Sequence, residues 1–204
     1  FKTEEIDDFI ILKSDGMPTY HLAHIVDDDD MKITHVFRGE EWISSTPKHI
    51  LIHNALKINP PKYIHVPLIL GKDKSKLSKR HGAKSVLEYK KEGYLPSAVF
   101  NYLILLGWSP GNDQEILSKS EILEKFSIKK ISDSSAVFDS EKLDWMNGIH
   151  IRNLSTEDLS KNIIYFLEKP YKDGGLEDHI TRPIDSTKIM NIVPFIQERL
   201  KTLK

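Results

Sequence analysis

Ile33-Thr34-His35-Val36-Phe37-Arg38-Gly39-Glu40-Glu41-Trp42 is the stretch that decides how this chain folds. A short run of β-branched and aromatic residues, Ile33 to Arg38, lies between the acidic run Asp27 to Asp30 and Gly39, and it reads as a buried strand. Thr46-Pro47 then supplies an N-cap with proline at the first helical position. The helix expected from Lys48 to about Leu56 turns Ile50, Leu51 and Ala55 inward. Tyr63 to Leu70 is a second apolar strand that runs straight into a basic loop. Strand, helix, strand and loop in this order are the alternation of an α/β domain. Ligands of such sheets bind beyond the carboxyl ends of the strands, where Glu40, Glu41 and Trp42 fall.

Upstream, Phe9 to Lys13 and Thr19 to Ala23 are two extended-looking runs around Ser14-Asp15-Gly16, and Asp-Gly is a hairpin signal. A β-hairpin is therefore expected to open the chain. Downstream the pattern changes to short capped helices. Ser85 with Glu88 and Ser118 with Glu121 have capping-box spacing, and Pro96 opens a helix that Gly107 closes. Asp139 caps a helix carrying Leu143, Trp145 and Met146, and Ser155 caps another through Phe166. Pro170 and Asp173-Gly174-Gly175 read as a linker before a last helix, Thr187 to Leu203.

The loop Gly71-Lys72-Asp73-Lys74-Ser75-Lys76-Leu77-Ser78-Lys79-Arg80-His81-Gly82 concentrates charge. Between Lys72 and Lys84 stand six basic residues against one acid, Asp73, in a chain of net charge −1. Either it is a solvated lysine-rich surface or it is a mobile loop that closes on phosphate oxygens. The flanking glycines and the small Ser78 suit the second reading. It is not a Walker loop, because Ser75 stands where that motif needs its second glycine.

The rest of the composition excludes whole classes. The 204 residues, 39% hydrophobic and 29% charged, are enough for one large domain or two small ones with a real core. No stretch approaches the roughly 20 apolar residues of a membrane span, and no secretion signal opens the chain, so a cytoplasmic location is expected. Without cysteine there are no disulfides, thiolate zinc sites or cysteine nucleophiles, and no structural zinc is expected. The chain begins at Phe1 and reads as a piece of something longer.

Arg38, at the end of an otherwise apolar strand, must find an anion. It either pairs with Glu40 or Glu41, or forms a fork for a ligand carboxylate or phosphate, with Tyr20 adding a hydroxyl. His21, His24 and the aspartates that follow have the right donor types for a metal-dependent hydrolase, but a three-residue step on a strand puts the two imidazoles on opposite faces. His49 and His53 lack the Glu of a zinc-protease helix and read as surface or core histidines. Trp108, Trp145 and Phe138 read as core, with stacking on a base as the alternative.

Ordered blocks tie these readings together: Leu12 to His21, Val26-Asp27-Asp28, Ile33 to Trp42 with Ser45 to His49, Lys76-Leu77-Ser78-Lys79-Arg80, Gly93-Tyr94-Leu95-Pro96, Leu106 to Pro110 and Phe138 to Gly148. From Asp8 to about Arg152 the chain resembles the class I aminoacyl-tRNA synthetases, and among them the bacterial glutamyl-tRNA synthetase family. Lys76 to Arg80 is its form of that family's KMSKS signature. The resemblance implies an α/β fold in three parts. Residues 1–84 would be the C-terminal half of a Rossmann-like nucleotide-binding catalytic domain, 85–153 a helical stem-contact region, and 154–204 the start of a helical anticodon-binding domain.

The resemblance also implies roles. Tyr20, His24 and Arg38 would hold L-glutamate, Glu41 and Lys79 would bind ATP, and Lys76 and Lys79 would be catalytic. Trp42, Lys48 and Arg80 would contact tRNA. The reaction would be ATP-dependent formation of glutamyl-adenylate and transfer to the 3′ end of tRNA(Glu) by a monomer, with Mg2+ entering alongside ATP. The family's other signature, His-x-Gly-His, does not occur in the chain. The family more often has asparagine or another residue at the place of His24, and Asp29-Asp30 replace a more usual His-Leu or His-Asp pair. A non-catalytic tRNA-binding fragment or paralogue is the alternative.

Overall fold

The computed structural model describes residues 1–78 and 84–204. It falls into two compact units, Phe1–Leu68 and Ile69–Lys204.

The first unit is built on a β-α-β crossover. Strand β1 (His35–Gly39) and strand β2 (Lys62–Val66) pair in parallel, with Arg38 opposite His65 and Gly39 opposite Val66. Parallel neighbours need a crossover, and here it is a 3-10 turn (Glu40–Ser45) running into helix α2 (Thr46–Leu56). The expected α/β alternation is present. β1 begins later than the apolar run suggested and is half-buried, with Phe37 49% exposed. The strand expected through Leu70 stops at Val66, because Pro67 has no N–H to continue the ladder.

The opening hairpin is only half formed. Its turn exists: Lys13 donates to the Met17 carbonyl, Gly16 takes a positive φ of 82°, and Leu12 bridges Pro18. The second run, however, is the start of helix α1 (Tyr20–Asp30). Leu22 and Ala23 donate to the Thr19 carbonyl, and Ile25 is fully buried. Packing on α2 overrides the β-leaning local composition. Both helices end in a Schellman motif closed by lysine: Lys32 at φ 57° with Ile33 donating to Asp28, and Lys57 at φ 59° with Ile58 donating to His53. The buried face of α2 is His49, Ile52 and His53; Ile50 and Leu51 are only partly covered and Ala55 is exposed, contrary to expectation.

Among its described residues the second unit is mainly helical, with one short parallel strand pair, β3 (Ile69–Leu70) with β4 (Ala136–Val137). Helices α3 (Val86–Lys91) and α5 (Lys119–Lys125) start with the complete capping boxes read from Ser85 and Ser118. Helix α4 (Pro96–Leu105) opens on its proline, α6 (Ser140–Arg152) is capped by Asp139, and α7 (Thr156–Leu167) by Ser155. The last helix, α8 (Ser186–Ile196), is shorter than read and gives way to a 3-10 turn, Gln197–Arg199.

Leu95, Ala98, Ile151, Leu159, Ile163 and Val193 form one core that joins α4, α6, α7 and α8. Two fully buried asparagines tie the helices to their surroundings. Asn147 on α6 accepts from the Leu95 N–H at 2.8 Å and donates to the Lys201 carbonyl. Asn101 on α4 accepts from Leu117 N at 2.9 Å and from His150 Nε2 at 3.1 Å, and donates to the Glu115 carbonyl. The Gln197 amide reaches the carbonyls of Ile151, Arg152 and Leu154, covering the open end of α6. Trp108 is buried as expected, while Trp145 is 45% exposed. Phe138 packs partly buried beside Tyr102.

Candidate functional site

Arg38 stands one residue from the end of β1, and the parallel register sets His65 beside it. Its Nε donates to His65 Nε2 at 3.1 Å, Nη1 reaches His49 Nδ1 at 3.0 Å, and Nη2 donates to Thr46 Oγ1 at 2.7 Å. The guanidinium lies over the Tyr63 ring at 4.4 Å and near Trp42 at 5.9 Å. Of the two readings, pairing with Glu40 or Glu41 is not seen: among the described residues Arg38 makes no ion pair. Glu40 accepts from the Leu68 N–H instead. Burial pulls Arg38 below its ordinary pKa, opposed by Tyr63, Tyr20 and Asp28. A guanidinium has five N–H donors, so one on each terminal nitrogen is left for a ligand.

Around it is a cluster of rings. Tyr20, the first residue of α1, stacks on His24 at 4.9 Å and leans on Trp42 at 5.1 Å. His21 Nδ1 is 3.0 Å from His49 Nε2, and the His24 ring is edge-on to His49 at 4.4 Å. Because α1 is a helix, His21 and His24 share a face, which corrects the strand-based placement on opposite faces. His24 Nδ1 must donate to the Tyr20 carbonyl at 2.9 Å, and its buried Nε2 has no hydrogen-bond partner among the described residues. Burial, with the charges of His24, Arg38, His21 and His53, pushes His49 down to about 3. Burial also lowers His21, His53 and His65. Among the described residues no group of three or more His, Cys, Asp or Glu could hold a metal ion.

Tyr20, His24, Arg38 and Trp42 are thus brought together, and Lys48 sits on α2 with its ammonium over the Phe9 ring at 5.1 Å. Glu41 is exposed in the 3-10 turn. His49, His65, Thr46 and Tyr63 were missed as site residues. The signal for His65 was available, since aligning the two strand ends by parallel register puts it beside Arg38.

The base of the lysine loop belongs to the second unit. Gly71 donates to the Ser75 carbonyl at 2.8 Å, Asp73 accepts from Ser75 N and Oγ, and Lys76 bridges Leu70. Lys72 pairs with Glu141 at 3.2 Å, largely exposed, and Lys84 with Glu92 at 2.6 Å, partly exposed. Lys79 and Arg80 lie outside the described residues.

Residues 1–145 match the family of tRNA synthetases class I (E and Q), catalytic domain. The chain belongs to this family. Among similar class I synthetases is a glutamate tRNA ligase of Dehalococcoides mccartyi, 52% identical over 206 residues, with all of this chain matched to 41% of the relative. Another is a glutamate tRNA ligase of Aquifex aeolicus, 51% identical over 188 residues, which span 91% of this chain and 40% of the relative. A crystal structure of a glutamate tRNA ligase from Elizabethkingia meningosepticum in complex with its amino acid superposes with a TM-score of 0.83 at 34% identity. It covers 99% of this chain and 42% of that one. The chain thus spans about two fifths of the length of the curated synthetases it matches.

Proposed function

We propose that this chain is the part of a glutamate tRNA ligase that carries the pocket for L-glutamate and the loop for ATP. The observation that carries the reading is Arg38, held by three uncharged groups and without an ion pair among the described residues, beside Tyr20 and His24. A cation presented this way suits a carboxylate side chain rather than a carboxamide. Tyr20, His24 and Arg38 would bind L-glutamate, and the unpartnered His24 Nε2 is an acceptor for its ammonium. Glu41 and Lys79 would contact ATP, and Trp42, Lys48 and Arg80 the tRNA.

A glutamate carboxylate oxygen attacks the α-phosphorus of ATP, the bond to the β-phosphate oxygen breaks, and pyrophosphate leaves. A hydroxyl at the 3′ end of tRNA(Glu) then attacks the acyl carbon, and AMP departs. Lys76 and Lys79 would neutralise charge on the leaving pyrophosphate. Mg2+ would enter with the ATP phosphates. Residues 1–84, 85–153 and 154–204 would serve as catalytic half-domain, stem-contact region and start of the anticodon-binding domain, in a monomeric cytoplasmic enzyme. No helix among the described residues is long and apolar enough to cross a membrane.

The test is charging of radiolabelled glutamate onto tRNA(Glu) by this chain, alone and with the N-terminal portion of a glutamate tRNA ligase supplied in trans. Charging in either mixture supports the reading. No charging with tRNA binding retained favours a non-catalytic tRNA-binding role. In an active mixture, Lys79→Ala should slow activation by about 100-fold or more while tRNA affinity changes little; equal losses would remove the assigned role.

A further inference from the structure

The hydrogen-bond directions around Arg38 determine where each proton sits. Arg38 can only donate, so His49 Nδ1 and His65 Nε2 must both be acceptors. His49 then carries its proton on Nε2 and donates it to His21 Nδ1 at 3.0 Å. The single Thr46 hydroxyl proton goes to the Trp42 carbonyl at 3.0 Å, which leaves Oγ1 as the acceptor for Nη2. Thr46 Oγ1 and His65 Nε2 are 3.2 Å apart. With both used as acceptors toward Arg38, no proton lies between them. The pattern is consistent only if His49 and His65 are neutral.

The chemical character of these partners matters more than their number. A carboxylate would orient a guanidinium equally well but would cancel its charge, and a ligand carboxylate would then meet a neutral pair. Here the fork is oriented on three sides by groups without charge. His49 is fully buried and closes one side; the Tyr63 ring closes a face without adding charge.

We propose that His49, His65 and Thr46 are positioning residues that set specificity, holding Arg38 at full charge so that a ligand carboxylate is selected over a carboxamide, with His49 required as its Nε2-protonated tautomer. The proposal rests on the glutamate reading of the Arg38 pocket. It extends that reading to three residues with no necessary contact to the ligand.

The experiment is histidine-selective 15N spectroscopy of this chain, with parallel NMR titrations of L-glutamate and L-glutamine. His49 should be neutral and protonated on Nε2 between pH 5 and pH 8; an Nδ1-protonated or charged His49 overturns the proposal. Thr46→Val, nearly isosteric, and His49→Leu should each weaken glutamate by about tenfold or more and leave glutamine unchanged. His49→Asn, which keeps an acceptor near the place of Nδ1, should restore most of the difference. Equal losses for the two ligands would show a merely structural role. A selective wild type whose selectivity survives both Thr46→Val and His49→Leu overturns the cradle alone. A wild type that does not distinguish the two amino acids overturns the glutamate reading and the specificity claim together, and the tautomer result separates the cases.

Discussion

The two units bury polar side chains for opposite purposes. In the second, Asn101 and Asn147 are fully buried, and each uses both its oxygen and its amide nitrogen on backbone or on His150. In the first, the buried polar groups are imidazoles, and His24 Nε2 and His53 Nδ1 are left without partners. Trp108 Nε1 is the exception in the second unit. A satisfied buried amide fixes one packing; an unsatisfied buried polar atom is a standing cost that a ligand can relieve. The buried amides of the helical unit thus act as packing ties, while the imidazole cluster of the smaller unit keeps polar atoms open to a ligand.

Acid should separate the two most sharply. A histidine held below its unfolded pKa binds fewer protons when folded, so its contribution to stability is complete above the unfolded value and falls as pH drops below it. His21, His49, His53 and His65 in the first unit are all lowered, against His150 in the second among the described residues. Each can remove up to about 1.4 kcal/mol per pH unit, starting below about 6.5. For His49 this continues toward its folded value of about 3. Between pH 6.5 and pH 4, amide exchange should show residues 1–68 losing protection first. Loss of both units together would break the contrast.

The next largest effect belongs to the second unit. Asn147→Leu keeps the branched shape but strands the Leu95 N–H at the start of α4 and frees the backbone at Lys201. Urea denaturation should show a loss of about 2–3 kcal/mol. An unchanged midpoint would mean that water substitutes for the amide and that the staple is not structural.

The smallest change sharpens the first unit instead. Lys57 occupies a left-handed position that favours glycine, so Lys57→Gly should stabilise by about 1 kcal/mol. The gain should appear in the acid midpoint of residues 1–68 and leave the second unit unmoved. A loss would mean that the lysine side chain contributes more than its backbone strain costs.

What was legible followed the range of the forces involved. Capping boxes at Ser85 and Ser118 and the caps at Asp139 and Ser155 are local, complete within four residues, and were read correctly. The β-α-β order was also readable, because apolar runs and Thr46-Pro47 mark its pieces. Thr19 to Ala23 was misread because its helix depends on packing against α2, which a local pattern does not contain. The face of α2 was misjudged for a related reason: hydropathy ranks Ile50 and Leu51 above His49 and His53, yet the interior here is built around a cation and prefers imidazoles. Arg38 was singled out on chemistry alone. Its hydrogen-bond partners come from two other segments, Thr46 and His49 from α2 and His65 from β2, which the crossover and the register of β1 against β2 bring to it.

That register has a consequence for quality control during folding. Side chains alternate across a strand, so a slip of β2 by one residue would carry His65 to the opposite face and bring Ile64 or Val66 to the guanidinium. The misaligned pair could keep most of its backbone ladder but would leave Arg38 short of an acceptor. The Arg38 cluster thus doubles as a checksum on assembly: a molecule threaded one step out of frame can look folded and still lack an oriented guanidinium.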